Sequence, residues 1–383
     1  EYIKDWDFGI TTRSRDAKPA LHAVRSVMSE VPFKNSRQWP KFSVVVCTYN
    51  GSRTIRDTLD HLAKLDYPNY EVIVVNDGST DSVPEILEDY DVQVISTPNQ
   101  GLSQARNEGL AAARGEFVVY IDDDAYPPPP WLKYLALAFL RSDHACIGGP
   151  NLVPPEDGWV GQCVADSPGG PLHVLLTDEL AEHVPGCNMA FRRSRLAAIG
   201  GFDPLYRTAG DDVDVCWRLQ DKGWTIGFSA PAMVWHHRRA TVRRYWRQQV
   251  GYGKAEALLE RKWPSRFTAL GHMSWAGQIY GRGLPRPALM ERPRIYQGTW
   301  GLAPYQGLYT PPPNHLLSIA LTPEWLLLAA AMFGLGLLGL FAAPFIWAFL
   351  PFIAMAAVSL TQALRGATEA RYLLRARGLT PRT

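Results

Sequence analysis

The sequence predicts an α/β fold: a mostly parallel sheet flanked by helices, followed by a C-terminal hydrophobic helical hairpin. Three observations carry this. Apolar runs of strand length alternate with amphipathic helical segments between residues 42 and 124. Such strands belong to a sheet covered on both faces. Three of these runs end in polar clusters: Thr48–Asn50, Asn76–Asp81 and Asp122–Asp124. In open α/β sheets ligands bind beyond the carboxyl ends of the strands, so three separate segments aim at one crevice. Finally, residues 325–360 contain no charged side chain.

Residues 1–40 read as a polar N-terminal extension with a short helix around Leu21–Met28. FSVVVCTYN (42–50) is β-branched and of strand length. TIRDTLDHLAKL (54–65) sets Ile55, Leu59, Leu62 and Ala63 on one helical face. YEVIVVNDGSTD (70–81) is a strand running into a turn, and DVQVISTP (91–98) is another strand. SQARNEGLAAARG (103–115) is a helix closed by Gly115, and EFVVYIDDD (116–124) is the fourth strand. The second half is mixed. VPGCNMAFRR (184–193) is a strand after a loop. DDVDVCWRLQDKG (211–223) is a helix with Val213, Cys216, Trp217 and Leu219 inward. WTIGFSAPAMVWHH (224–237) is extended, and 241–263 is a basic, aromatic helix. The expected division is an extension over 1–40, a sheet domain over 41–265, and a Pro/Gly/aromatic-rich, membrane-proximal linker over 266–322. A transmembrane hairpin of two short helices over 323–362 and a basic tail over 363–383 complete it.

The 383 residues carry a net charge of +2, which offers no global attraction to nucleic acid. Cys47, Cys146, Cys163, Cys187 and Cys216 form no CxxC pair, so neither a disulfide framework nor a zinc knuckle is indicated. No GxGxxG follows a predicted strand, since the one match, Gly334–Gly339, lies inside the apolar C-terminal run, and no GxxxxGK[ST] motif occurs. A start at Glu1 fits a fragment or a processed product. The apolar run is too long for one comfortable span and just long enough for two short ones about Pro344. The tail carries Arg365, Arg371, Arg375, Arg377 and Arg382 against Glu369. Positive residues stay cytoplasmic, so a hairpin leaves tail and sheet domain together at the cytoplasmic face of a membrane. A single tilted or kinked span, or a re-entrant segment, is the alternative.

Asp122, Asp123 and Asp124 repel one another. A solvated strand-end turn tolerates that repulsion, whereas a bound divalent cation relieves it. The phrases VVVCTYNG, EVIVVNDGSTD, NQGLSQARNEGLAAARGEFVVYIDDDA, PGCNMAFRRS, GGFDP and GDDVDVCWRL decide how to read them. In this order they resemble family 2 glycosyltransferases of the GT-A fold over about residues 40–260. The resemblance implies inverting transfer of a sugar from a nucleotide-diphosphate donor, expected to be a UDP-sugar, with Mn²⁺ or Mg²⁺ as cofactor.

It further implies roles for particular residues. Asp122 and Asp124 match the family's DxD pattern: Asp124 would ligate the metal, and Asp122 the ribose or the metal shell, with Asp123 beside them. Asp77 would accept the ring N–H of uracil, Tyr49 would stack on the base between Thr48 and Asn50, and Arg106 would approach the base and phosphates. Gly186 and Asn188 would let backbone and amide groups approach the donor sugar. Asp212 matches the catalytic base, which takes a proton from the acceptor hydroxyl. Asp211 stands where glutamate is commoner, and Asp214 is structural or an acceptor contact. His236 or His237 would complete the metal site or touch the diphosphate. Arg238, Arg239, Arg243 and Arg244 could draw in phosphates or lipid headgroups. RQQVGYG (247–253) matches only in part the Q-x-x-R-W segment of processive synthases: Gln248 and Gln249 are present, the Arg-Trp pair is not. The expected partners are a nucleotide sugar, a glycan or lipid-linked acceptor and membrane lipids. A processive polysaccharide synthase and a catalytically inactive nucleotide-sugar-binding scaffold are the rival readings. A sugar nucleotidyltransferase would need a Gly-rich first loop with a basic residue, which FSVVVCTYNG lacks.

Overall fold

The structure is a computed structural model. It describes residues 9–12, 15–29, 39–165, 170–171, 173–239, 241–268, 271–276, 278–280, 320 and 323–376. Strands β1 (Phe42–Thr48), β2 (Tyr70–Asn76), β3 (Gln93–Ser96) and β4 (Phe117–Asp122) pair in parallel in the order β3-β2-β1-β4. Helix α1 (Pro19–Ser29) is largely exposed, while α2 (Ile55–Leu62), α3 (Val83–Leu87), α4 (Leu102–Ala112) and α5 (Trp131–Arg141) flank that half. Alternate residues of one strand serve opposite faces. Val44 and Val46 pack with Ile55, Leu59, Ile86, Trp131 and Phe139, while Val45 packs with Ala105, Val118 and Met189 on the other side. Burial on both faces explains why these strands read as continuous apolar runs.

The remaining strands are β5 (Ala125–Tyr126), β6 (Cys146–Gly148), β7 (Asn151–Leu152), β8 (His173–Leu175), β9 (Leu180–His183), β10 (Asn188–Arg192), β11 (Ile226–Phe228), β12 (Val234–His236) and β13 (Gln278–Tyr280). The main sheet runs β13-β8-β9-β11-β6-β10-β4-β1-β2-β3. The parallel expectation holds for β1–β4 and for the β6/β11 pair. Elsewhere the sheet is antiparallel, beginning with β10 against β4. β10 enters through the turn at Val184–Cys187 from the β9 side and so runs against β4. A three-stranded sheet, β5-β12-β7, pairs His236 with Ala125 and thereby carries His236 to the end of β4.

Helices α6 (Gly158–Ala165), α7 (Arg193–Ala198), α8 (Asp211–Asp221) and α9 (Val242–Lys262) follow. Helix α8 buries Val213, Cys216, Trp217 and Leu219 as its periodicity predicts. Helix α5 escapes the sequence pattern because apolar residues crowd most of its faces. Its buried set Trp131, Leu132, Leu135, Ala136 and Phe139 nonetheless has helical spacing.

The apolar C-terminal run forms α10 (Pro323–Leu338) and α11 (Phe349–Ala376), joined by a 3₁₀ turn at Ala343–Ala348 that contains Pro344. Trp325 Nε1 donates to Ser359 Oγ at 3.0 Å, and the Phe333 and Phe352 rings lie 5.0 Å apart, so the helices run antiparallel. Only Ala343–Leu364, among the described residues, is long and apolar enough to cross a membrane; α10 is shorter. The helix continues to Ala376, through the start of the segment read as a tail. The stretch 282–313 and the tail residues Arg377 and Arg382 lie outside the described residues.

Candidate active site

The strand order turns about β1, which has β2 on one side and β4 on the other. Helical crossovers diverge at such a point and leave a crevice. A cavity of about 980 Å³ opens there, lined among others by Tyr49, Arg106, Asp122–Asp124, Asp211, Asp212 and His236.

The three adjacent aspartates face three different partners. Asp122 Oδ1 faces Arg106 Nη2 at 3.4 Å. Asp123 Oδ2 accepts from Thr48 Oγ1 at 2.5 Å. Asp124 meets His236 Nε2 at 3.1 Å and Arg239 Nη1 at 3.0 Å. Burial pushes the Asp122 and Asp123 carboxyls up, and neighbouring Asp124 adds to the rise. Burial acts on Asp124 too, but His236 and Arg239 outweigh it and hold that carboxyl well below the usual range. Ligand atoms of Asp122, Asp124 and His236 all lie within 4.8 Å of one another. Two carboxylates and an imidazole suit Mn²⁺, with Mg²⁺ preferring an all-oxygen set, so these residues fit a divalent cation.

The β1–α2 loop is pinned to the turn that follows β2. Asn50 adopts the left-handed region at φ 57°. Its Oδ1 accepts from Thr80 N at 2.8 Å, and its N donates to Ser79 Oγ at 3.0 Å. A Cβ on Gly51 would stand 2.0 Å from Asp123 Oδ2, so only glycine lets the loop close over that carboxylate. Tyr49, 53% exposed, stands at the cavity wall.

Helix α8 supplies the opposite wall. Asp211 and Asp212 are neighbours, about 100° apart around the helix, and so face different ways. Buried Asp211 pairs with Nη1 of buried Arg106, whose Nη2 donates to Gly186 O at 3.2 Å. Burial pushes the Asp211 carboxyl up against the pull of Arg106. Asp212 faces the cavity, and its Oδ2 accepts from Gly186 N at 3.1 Å and lies 3.6 Å from His183 Nε2. Burial would raise Asp212, but His183, Arg106 and the Gly186 amide hold it low and ionised. The sequence reading missed His183: it precedes the Pro-Gly turn as a lone histidine with no motif around it.

Several expected site residues sit elsewhere. Asp77 does not line the cavity; its oxygens accept from Gln100 N at 2.7 Å and Gly101 N at 2.8 Å and brace the start of α4. Asn188 is fully buried: its Oδ1 accepts from Trp131 Nε1 at 3.1 Å, and its Nδ2 donates to Ala232 O at 2.8 Å and Pro150 O at 3.3 Å. Its amide is spent on the core, because β10 runs through the middle of the sheet. Asp214 is also fully buried, held by Arg218 at 2.7 Å, Lys262 at 2.6 Å and Trp263 Nε1 at 2.9 Å. Gln248 lines the cavity and donates to Tyr252 OH at 3.0 Å, whereas Gln249 does not line it. His237 also lines the cavity, but its ring turns away from that of His236. Its Nδ1 lies 2.6 Å from Asp157 and its Nε2 3.0 Å from Asp57, bonds that push its pKa up to about 9.

Residues 43–200 match the model of glycosyl transferase family 2. That stretch carries a glycosyl transferase family 2 domain. The chain is 29% identical over 263 residues to the pre-mycofactocin glycosyltransferase of Mycobacterium tuberculosis, covering 64% of this chain and 54% of that protein. It is 26% identical over 258 residues to the poly-beta-1,6-N-acetyl-D-glucosamine synthase of Staphylococcus epidermidis, covering 62% of each. The chain thus spans between half and two thirds of the length of these relatives. Solved structures that overlap it include the S. aureus TarS 1–349 complex with UDP-GlcNAc, at TM-score 0.42 and 24% identity over 52% of this chain and 59% of that one. The mannosyltransferase PcManGT from Pyrobaculum calidifontis with GDP-Man and Mn²⁺ overlaps at TM-score 0.44 and 24% identity, over 63% and 72%. The family assignment of residues 43–200 rests on the sequence match.

Proposed function

We propose that this protein transfers a sugar, with inversion, from a nucleotide-diphosphate sugar to an acceptor hydroxyl, with a UDP-sugar as donor. The observation that carries the reading is the opening of two acidic groups, Asp122/Asp124/His236 and Asp212, onto one cavity. Asp124, Asp122 and His236 would hold Mn²⁺ or Mg²⁺, which when bound supplies Lewis-acid stabilisation of charge on the leaving diphosphate. Arg239, now paired with Asp124, stands ready to meet phosphate oxygens as well. Tyr49 offers an exposed ring to the base.

Asp212 is the base. Kept ionised beside His183, it accepts the proton of the attacking hydroxyl at Oδ1 or Oδ2 while Gly186 N steadies the carboxylate. Arg106 keeps Asp211 and Asp122 apart as charges and holds the Gly186 turn, so it organises both acidic groups from beneath. The apolar Ala343–Leu364 helix supports membrane anchorage, with the sheet domain on the cytoplasmic side and a glycan or lipid-linked acceptor. Similarity to a polysaccharide synthase favours, as a second reading, growth of a polymer; long products would reveal it.

The test is nucleotide release by the detergent-purified chain from UDP-, GDP- and dTDP-sugars with Mn²⁺ or Mg²⁺, with and without a crude lipid acceptor. Release from one donor, lost on chelation and in Asp124→Asn and Asp212→Asn, is the expected result. Nucleotide binding without release from any donor, acceptor present, would favour the inactive scaffold.

A further inference from the structure

We propose that the outer face of α9 is a membrane-surface element that seats the cavity mouth on anionic lipid. Val242, Trp246 and Val250 are 80%, 69% and 45% exposed. Spaced four apart, they lie on one side of the helix. Globular surfaces scatter single apolar residues, but a stripe containing a tryptophan asks for a partner.

The charges around the stripe say which partner. Residues 238–250 carry Arg238, Arg239, Arg243, Arg244 and Arg247 and no acid. Arg243, Arg244 and Arg247 are exposed; Arg243 and Arg247 flank the stripe on one side, and Arg244 and Arg247 also line the cavity, so the positive charge runs from the stripe to the cavity mouth. An apolar face bordered by arginines is the pattern of a helix lying in a lipid interface, with Trp at headgroup depth and guanidinium groups on phosphates. A protein partner of matching shape would have to be acidic around an apolar centre, a more demanding surface than an anionic bilayer. The other side of α9 cannot rotate outward: Ala255 and Leu259 are buried, while Gln248, Gly251 and Tyr252 line the cavity. Membrane contact on the outer face would therefore fix the height of the cavity above the lipid. The same chain carries the apolar Ala343–Leu364 helix, so a bilayer is within its reach.

This inference concerns a surface and does not depend on the reaction at the cavity. The full chain is reconstituted into vesicles whose lipids carry bromine near the headgroup end of the acyl chain, with or without phosphatidylglycerol in phosphatidylcholine. The emission of Trp246 is obtained as the native signal minus that of Trp246→Phe. That difference signal should fall about twofold in vesicles containing phosphatidylglycerol, and less in phosphatidylcholine alone or in Arg243→Gln. Arg243 does not line the cavity. A Trp246 signal that bromine leaves untouched in both lipids overturns the proposal. So does one that is shielded only as protein concentration rises, which would assign the face to a second copy of the chain.

Discussion

Replacing Arg106 with methionine keeps most of the side-chain volume and removes the charge that holds the floor of the site. Arg106 is 2% exposed and pairs with equally buried Asp211. It also reaches Asp122 and lies 5.3 Å from the Phe202 ring. Removing one partner of a buried pair leaves the other charge without compensation, at about 3–5 kcal/mol. At roughly 2 °C per kcal/mol for a domain of this size, the apparent melting temperature should fall by about 6–10 °C. The loss should depend on pH. Burial already raises the Asp211 and Asp122 carboxyls, and without Arg106 they rise further. A carboxyl that titrates higher in the folded than in the unfolded state holds its proton longer when folded. Its contribution to stability is greatest below the usual carboxylate range and is lost as pH rises through its folded value. The deficit should therefore be larger at about pH 8 than at about pH 5. Melting of the detergent-solubilised chain, followed by tryptophan emission, is the assay. Adding Asp211→Asn to Arg106→Met should recover a substantial part of the loss. A drop worth less than about 1 kcal/mol, or one of equal size at both pH values, would refute the reasoning.

Gly186→Ala would place a Cβ 2.5 Å from Arg106 Nη2. Since Arg106 has no room to yield, a cost of about 1–3 kcal/mol and a fall in nucleotide release of tenfold or more are expected, measured beside the native chain. His183→Gln removes a group that keeps Asp212 ionised; the base then titrates higher, and the acidic limb of the pH–rate profile moves up by about one pH unit. An unmoved limb would separate His183 from the base. Asn188→Ala leaves Trp131 Nε1 and the Ala232 carbonyl without their side-chain partner, while Pro150 O keeps its bond from Val234 N, so thermal scans should show a loss of about 2–4 kcal/mol and KM for the donor should stay near native.

Much of the sheet half was legible in the residues. β1, β2 and β4 are local events: β-branched runs largely buried on both faces, each followed by polar residues that cannot stay in a strand, with β3 the short, exposed strand at the sheet edge. The helices α2, α4 and α8 announced themselves by period, and the apolar C-terminal run by lack of charge. What stayed hidden was everything set by partners far away in sequence. The direction of β10 against β4 depends on which side of the sheet the chain returns from, and no local pattern records that.

The same division runs through the site. The sequence by itself determined which acids cluster at strand and helix ends, because side-chain chemistry and spacing are local properties. Only the tertiary structure decided which of them face open space. Asp77 and Asn188 look as functional in the sequence as Asp124 and Asp212 do, yet backbone amides and a buried tryptophan occupy their polar atoms; Asp214, read as structural or an acceptor contact, is held by two cations. His183 looked idle until folding set it beside Asp212. His236 and His237 are neighbours, but adjacent residues of an extended strand point to opposite sides, so one turns to Asp124 and the other to Asp57 and Asp157. A carboxylate's role follows from what fills the space around it, and that space is made by segments far apart in the sequence, such as Arg106 and Asp211 or Asp57 and His237.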